Sequence, residues 1–287
     1  MSKKGVIAES KWRKEIGPKG RTRLLYYNQH MANPNWWNSD QQDRITPAYY
    51  QQALNGQLRG EMENYESLDE VVDLYTDKSK PFLDGGCGDG KLLVGLHACG
   101  YKAEGIEGKK ETVDKVKELF PDLPIRTGDV LKIDRPANYY GTYISLGVVE
   151  HRRQGPMPFL HEAWRVLMPG GILLISVPYI NIIRRIKMWL NIYNFKPLIE
   201  ADFFQFFFSK TEFIELLADA GFKVLDTREI GVVYGLIAED LSFLGKYYGK
   251  IGLLRQIVRW VGVNFKRRNG LGNMLLFVCR KPGETHA

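Results

Sequence analysis

Three acidic residues, each closing a short apolar stretch, are the residues of this chain best placed to do chemistry, and glycines crowd the first of them. Asp84 ends Pro-Phe-Leu-Asp (81–84) and is followed by Gly85-Gly86-Cys87-Gly88-Asp89-Gly90. Glycines at that spacing let backbone approach a ligand, and a helix starting at Lys91 would aim free N–H groups at an anionic part of it. Glu107 lies about 20 residues beyond the first glycine, where a carboxylate can accept from both hydroxyls of a ribose diol. Asp129, in Thr-Gly-Asp-Val (127–130), is placed to accept from an exocyclic amine. The chemistry implied is nucleotide binding. The third glycine of a dinucleotide fingerprint is missing, because position 91 is Lys, and this disfavours a dehydrogenase.

A second candidate is the pair Glu150-His151. An imidazole with an ordinary pKa near 6.5 can act as a base near neutral pH. The same pair can instead cap the next segment or line a pocket. His97 and His161 fall within helical patterns and are less useful. Three cysteines (Cys87, Cys99, Cys279) supply neither a disulfide framework nor a metal quartet, so no metal and a reducing compartment are expected.

The elements that must hold these residues alternate helix and strand from about residue 66, the pattern of a parallel α/β sheet. The spacing predicts strands over 81–84, 101–107, 124–128, 142–146 and 171–177. Helices are expected over 91–98 and 111–120 and around Leu160, Ala163, Trp164 and Leu167, the last stopped by Met168-Pro169-Gly170-Gly171. A further helix over 211–220 with Gly221 as its cap, a strand over 222–230 and a last strand, 273–280, complete the pattern. With no recognisable helix before it, that last strand is expected to be antiparallel. The glycine turn follows the first strand, and all three acids would lie at carboxyl ends of consecutive strands, the edge where such sheets bind ligands.

These stretches resemble the class I S-adenosylmethionine-dependent methyltransferases of the small-molecule type. The resemblance is carried by FLDGGCGDGKL (82–92), GIE (105–107), TGDV (127–130), ISLGVVEH (144–151) and AWRVLMPGGILLISVP (163–178). It implies a doubly wound, seven-stranded, mostly parallel Rossmann-like sheet with the last strand antiparallel, and S-adenosyl-L-methionine as cofactor. It also implies a cofactor site of Asp84, Gly86, Cys87, Gly88, Glu107, Asp129, Val130 and Leu146. Gly86 and Gly88 would face the methionine end, Glu107 the ribose, Asp129 and Val130 the adenine, and Leu146 the sulfonium. The chain departs from the family at Gly85, where an apolar residue is usual, and this is expected to loosen the strand end.

Composition is that of a globular protein, 44% hydrophobic and 25% charged, with a net charge of +7. A cytoplasmic protein is expected, since no stretch is long and apolar enough to span a membrane and no signal peptide is recognisable. Residues 1–65 read as a partly helical extension contributing to the acceptor pocket, and 66–287 as the main domain with lid insertions at about 179–208 and 231–268. Up to Arg23 there are eight basic residues against two acids, the pattern of a solvated tail or of an arm that touches phosphates. The aromatics Tyr26, Tyr27, Trp36, Trp37, Tyr49, Tyr50, Trp189, Tyr193, Phe195, Phe203, Phe204 and Phe206–Phe208 are expected to build a pocket for an apolar or ring-containing acceptor, or to pack the lid. Ile182, Ile183, Ile186, Trp189 and Leu190 form a helical stripe beside Arg184, Arg185 and Lys187, fit for a cap helix or a membrane surface.

The expected activity is methyl transfer to a small apolar or aromatic acceptor, with Glu150 and His151 as the candidate catalytic pair. The alternatives are a membrane-associated lipid or quinone-like acceptor, nucleic acid reached through the basic arm, and, last, a non-catalytic scaffold. Against nucleic acid, the fourth strand is followed by no Asn-Pro-Pro-Tyr tetrad, the residues there being Ser-Leu-Gly-Val.

Overall fold

Apolar residues alternate along each strand of a seven-stranded sheet and bury both its faces. A computed structural model describes residues 11–28, 31, 45–58, 68–193, 202–241, 247–248, 250–253, 256–258, 260 and 270–283. Its strands are β3 (Phe82–Gly85), β4 (Ala103–Glu107), β5 (Ile125–Thr127), β6 (Tyr140–Leu146), β7 (Leu167–Pro178), β9 (Lys223–Ile230) and β10 (Met274–Arg280), ordered β5-β4-β3-β6-β7-β10-β9. Pairings among β3 to β7 are parallel, and β10 runs antiparallel to both neighbours, as expected.

Leu173, Ile175 and Val177 of β7 face one way, toward α5 (Met157–Val166) and α7 (Lys210–Asp219). Ile172 and Leu174 face the other, toward α1 (Pro47–Leu54), α2 (Leu68–Tyr75), α3 (Lys91–Ala98) and α4 (Lys110–Leu119). Burying both faces of a parallel sheet under helices is what its near-continuous apolar strands require. The sequence Met168-Pro169-Gly170-Gly171 does not separate helix from strand. β7 already pairs at Leu167 and bulges before Ile172, with Gly170 in the left-handed region at φ +78°.

The basic N-terminal segment is not a solvated tail over its described part. Residues Lys11–Ile16 (β1) and Thr22–Tyr27 (β2) form a hairpin, and Phe203–Phe207 (β8) joins it to make a separate antiparallel sheet, β1-β2-β8. Three of its cations meet the acids of α7: Lys19 pairs with Asp219, Arg21 with Glu215 at 2.9 Å, and the buried Arg23 with Glu212 at 2.5 Å. The stretch FFQFFF is therefore the third strand of this sheet. Leu25, Tyr27, Phe206 and Phe208 pack into the main core, where an aromatic β-strand offers more buried area than a loop.

Helix α6 (Ile182–Trp189) follows β7, with Asn181 as its N-cap accepting from the Arg184 amide. The departure at Gly85 has a packing cause and does not loosen the strand: a Cβ there would overlap the ring of Tyr143, which fills that space from β6.

Candidate functional site

The turn after β3 lies between β4 and β6, where the chain reverses its direction of travel across the sheet. Gly86, Gly88 and Gly90 all have positive φ, +76°, +54° and +70°. At Gly86 a Cβ would also stand 2.6 Å from Cγ2 of Val148, so both conformation and space demand glycine. The amides of Gly86 and Cys87 donate to the Ile106 carbonyl at 2.8 and 3.0 Å, tying the turn to β4.

Glu107 sits at the end of β4, its two oxygens accepting from the amides of Gly88 and Lys109, each at 3.0 Å. Those bonds fix the carboxylate and leave each oxygen a further lone pair, the capacity a diol needs. Asp84 is 3% exposed and its Oδ2 has no hydrogen-bond partner. Burial, reinforced by the nearby Asp89 and Glu107 carboxylates, pushes its pKa up to about 8. A buried carboxyl of this kind is one that a cationic group would satisfy. S-Adenosylmethionine carries an ammonium and a sulfonium at its methionine end and a ribose diol at the other, so the donor and acceptor set fits it.

Asp129 is exposed, and its Oδ1 accepts from the Leu131 amide and from Arg152, both at 2.9 Å. Val130 beside it is buried in the core, while Leu146 at the end of β6 is half-buried. Ser145 donates to the Gly85 carbonyl at 2.8 Å and so locks the two strand ends together.

Glu150 and His151 lie in a single 3-10 turn after β6. Glu150 is buried with Oε2 unpartnered, and desolvation raises its pKa to about 8. The His151 side chain remains 35% exposed although protein surrounds it on most sides, and that desolvation lowers its pKa below 6.5. Its Nδ1 lies 2.8 Å from the Phe204 carbonyl on β8 and its Nε2 4.0 Å from Oε1 of Glu150. A carbonyl only accepts, so Nδ1 carries the hydrogen and Nε2 the lone pair. The Phe204 ring meets the imidazole edge-on at 4.7 Å. His97 is engaged by the Ala103 carbonyl at 2.7 Å, and no cluster of metal-binding side chains occurs among the described residues.

The aromatics divide by position. Tyr49 and Tyr50, expected at an acceptor pocket, instead brace the glycine turn: the buried Tyr50 hydroxyl donates to the Asp89 carbonyl at 2.6 Å, and Tyr49 stacks under Nζ of Lys91 at 4.3 Å. Tyr27, Phe206, Phe207 and Phe208 are core, and Tyr193 packs behind the small sheet with Leu24, Ile180 and Phe207. Trp189 points to solvent at 83% exposure. Tyr26, Phe203 and Phe204 are left half-buried on the small sheet, the last of them against His151. Trp36, Trp37 and Phe195 lie outside the described residues. Sequence spacing missed the bracing role of Tyr50, whose one signal was an aromatic pair in a short helix starting with Pro47.

A family model described as a methyltransferase domain matches residues 54–227, more than half of the chain. The chain is 29% identical over 163 residues to a Mycolicibacterium smegmatis protein named probable S-adenosylmethionine-dependent methyltransferase, covering 56% of this chain and 58% of that one. It is 25% identical over 206 residues to the chloroplastic 2-methyl-6-phytyl-1,4-hydroquinone methyltransferase 2 of Oryza sativa, covering 70% and 49%. The match thus spans about half the length of these curated relatives. Among solved structures, the 1,6-didemethyltoxoflavin-N1-methyltransferase of Burkholderia thailandensis, with 1,6-didemethyltoxoflavin and S-adenosylhomocysteine bound, superposes with a TM-score of 0.52 at 14% identity, covering 95% of this chain and 99% of that one. At that identity the likeness concerns the fold.

Proposed function

The chain belongs to the methyltransferase-domain family, and on that premise we propose that it transfers a methyl group from S-adenosylmethionine to a small apolar or aromatic-ring acceptor at the β8 edge of the site. The observation that carries the reading is His151, held next to the cofactor-type turn and against the half-buried aromatic ring of Phe204. When bound, the cofactor supplies an electrophilic methyl on a sulfonium that is already a good leaving group. The protein's own work is to align the acceptor and exclude water. Asp84 and Glu107 hold the two ends of the cofactor, and the glycines of the turn let it lie close to the backbone.

His151 serves acceptors that must lose a proton. The Phe204 carbonyl holds Nδ1–H, so the lone pair that would take the proton is on Nε2. Desolvation lowers the imidazole pKa and so favours the neutral form that a base requires, and a protonated Glu150 adds no negative charge to offset it. The β8 strand thus both orients the base and offers the surface on which a ring would rest.

A membrane-resident, quinone-like acceptor is the second reading, favoured by the rice relative and by an Arabidopsis thaliana relative with the same 2-methyl-6-phytyl-1,4-hydroquinone methyltransferase activity in its name. Such an acceptor combines an aromatic ring with an apolar chain. Nucleic acid is disfavoured, because Lys19, Arg21 and Arg23 of the N-terminal hairpin are paired with acids of α7 and Lys14 donates to the Met188 carbonyl.

The test is calorimetric titration with S-adenosylmethionine, its demethylated product and NAD, followed by turnover with radiolabelled cofactor over a panel of phenols, hydroquinones and heterocycles. Micromolar binding of the first two and none of NAD is expected. His151→Ala should lower turnover on a hydroxyl acceptor about 100-fold while leaving cofactor affinity unchanged. Undiminished turnover would make His151 a pocket residue, and failure to bind either cofactor form would overturn the placement of the site.

A further inference from the structure

Helix α6 is built inside out. Its inward face carries Arg184, 1% exposed, while Ile182, Ile186, Trp189 and Leu190 stand on the outward face together with the exposed Arg185. The expected stripe is therefore split: Ile183 turns partly inward and Arg184 becomes the anchor. Arg184 donates to Asp240 Oδ1 at 2.8 Å, to the Tyr179 and Asn273 carbonyls at 2.6 and 3.1 Å and to Asn273 Oδ1 at 2.5 Å, and it lies 4.6 Å above the Phe207 ring. Asn181 completes the network through Asp240 at 2.5 Å. With its charge satisfied inside, the helix cannot rotate to bury its apolar face without stranding a guanidinium.

The same helix fixes both ends of the chain excursion between β9 and β10. Arg184 and Lys187 hold Asp240 at its start, and the Ile182 amide donates to the Gly270 carbonyl at its end, at 2.7 Å. Between them, residues 241–268 contain seven lysines and arginines and not one acid. Residues 179–199 likewise contain four basic residues and no acid. Of the described residues in the excursion, Tyr247, Ile251, Leu253, Ile257 and Trp260 are exposed.

We infer that the outward face of α6, together with the exposed described residues of the excursion anchored to it, forms a docking surface for an anionic lipid membrane. Among the described residues, large apolar side chains and two tryptophans face solvent beside the exposed Arg185 and Lys250, with no acid among them, which matches the apolar–headgroup boundary of a bilayer. A protein partner would call for a defined polar rim, whereas the exposed charges described on this surface, Arg185 and Lys250, are of one sign. The helix follows β7 at the carboxyl edge of the sheet, the edge that holds the glycine turn, so docking brings the site close to the lipid. The inference stands on this surface alone and does not depend on methyl transfer.

Flotation of the full chain with phosphatidylcholine vesicles, with and without phosphatidylglycerol, tests it. The wild type should float with the anionic vesicles, far less with neutral ones, and lose binding as salt approaches about 1 M, where the Debye length falls to about 3 Å. Ile186→Ser with Trp189→Ser should weaken partition at least about tenfold, because two side chains no longer enter the apolar layer. Arg185→Glu should weaken binding to anionic vesicles and leave the neutral background unchanged. S-Adenosylhomocysteine titration and melting temperature, measured on the same samples, separate a surface effect from misfolding or a misplaced cofactor site. No flotation of the wild type, or equal flotation of the double variant, overturns the inference. Vesicle-free self-association that the double variant abolishes would overturn it in favour of a second copy of this chain.

Discussion

Binding of S-adenosylmethionine is expected to expel a proton from Asp84. In the free protein this carboxyl has a pKa of about 8, set first by burial and then by Asp89 and Glu107. At pH 7 it is therefore about 90% protonated. A cation placed beside it favours the charged form, so binding should release about 0.9 proton at pH 7. Linkage then fixes the direction: affinity rises with pH toward the free-state pKa, because less work is spent on deprotonation. Between pH 6.0 and 7.5 the gain is roughly 20-fold, or about 1.8 kcal/mol. Calorimetry in two buffers of different ionisation enthalpy counts the protons directly. Asp84→Asn should bind more weakly, release none from this position, and show a nearly flat pH dependence over that range. A wild type that releases no proton and binds equally at both pH values would refute the assignment of Asp84 to the cationic end of the cofactor.

Three further outcomes follow from the packing. Gly86→Ala places a Cβ against Val148 at a positive φ and should cost about 1–3 kcal/mol in urea denaturation, with at least a tenfold loss of cofactor affinity by calorimetry. Tyr50→Phe removes the bond to the Asp89 carbonyl, and a cost of about 1–3 kcal/mol in urea denaturation together with a several-fold weaker cofactor Kd is expected. Arg23→Met leaves Glu212 buried without its cation and should lower stability by about 3–5 kcal/mol, whereas Arg23→Met with Glu212→Leu should recover most of that loss; thermal melts compare the two.

The order of the strands and helices of the seven-stranded sheet was legible because each of these elements carries its own apolar period. Helix α3 begins and ends where Lys91 and Ala98 suggest, and the antiparallel β10 followed from the lack of a crossover helix. The glycine turn was equally plain, since positive φ at Gly86, Gly88 and Gly90 is a local demand that only glycine meets cheaply. The three acids do stand at the carboxyl ends of consecutive strands, as their places after apolar stretches implied. Other features depended on partners distant in the chain. Nothing near Lys11–Tyr27 announces that its cations will face Glu212, Glu215 and Asp219 and that its strands will pair with Phe203–Phe207. A basic, aromatic stretch has the composition of a tail until a complementary acidic helix and an edge strand are supplied. The same holds for α6: its sequence shows an apolar stripe beside arginines. Asp240 and Asn273, 56 and 89 residues away, decide that the arginine goes in and the tryptophan stays out. Periodicity and backbone preference are local and written in the sequence; the sign of a burial depends on which distant groups satisfy a charge, and only the tertiary structure brings those groups together.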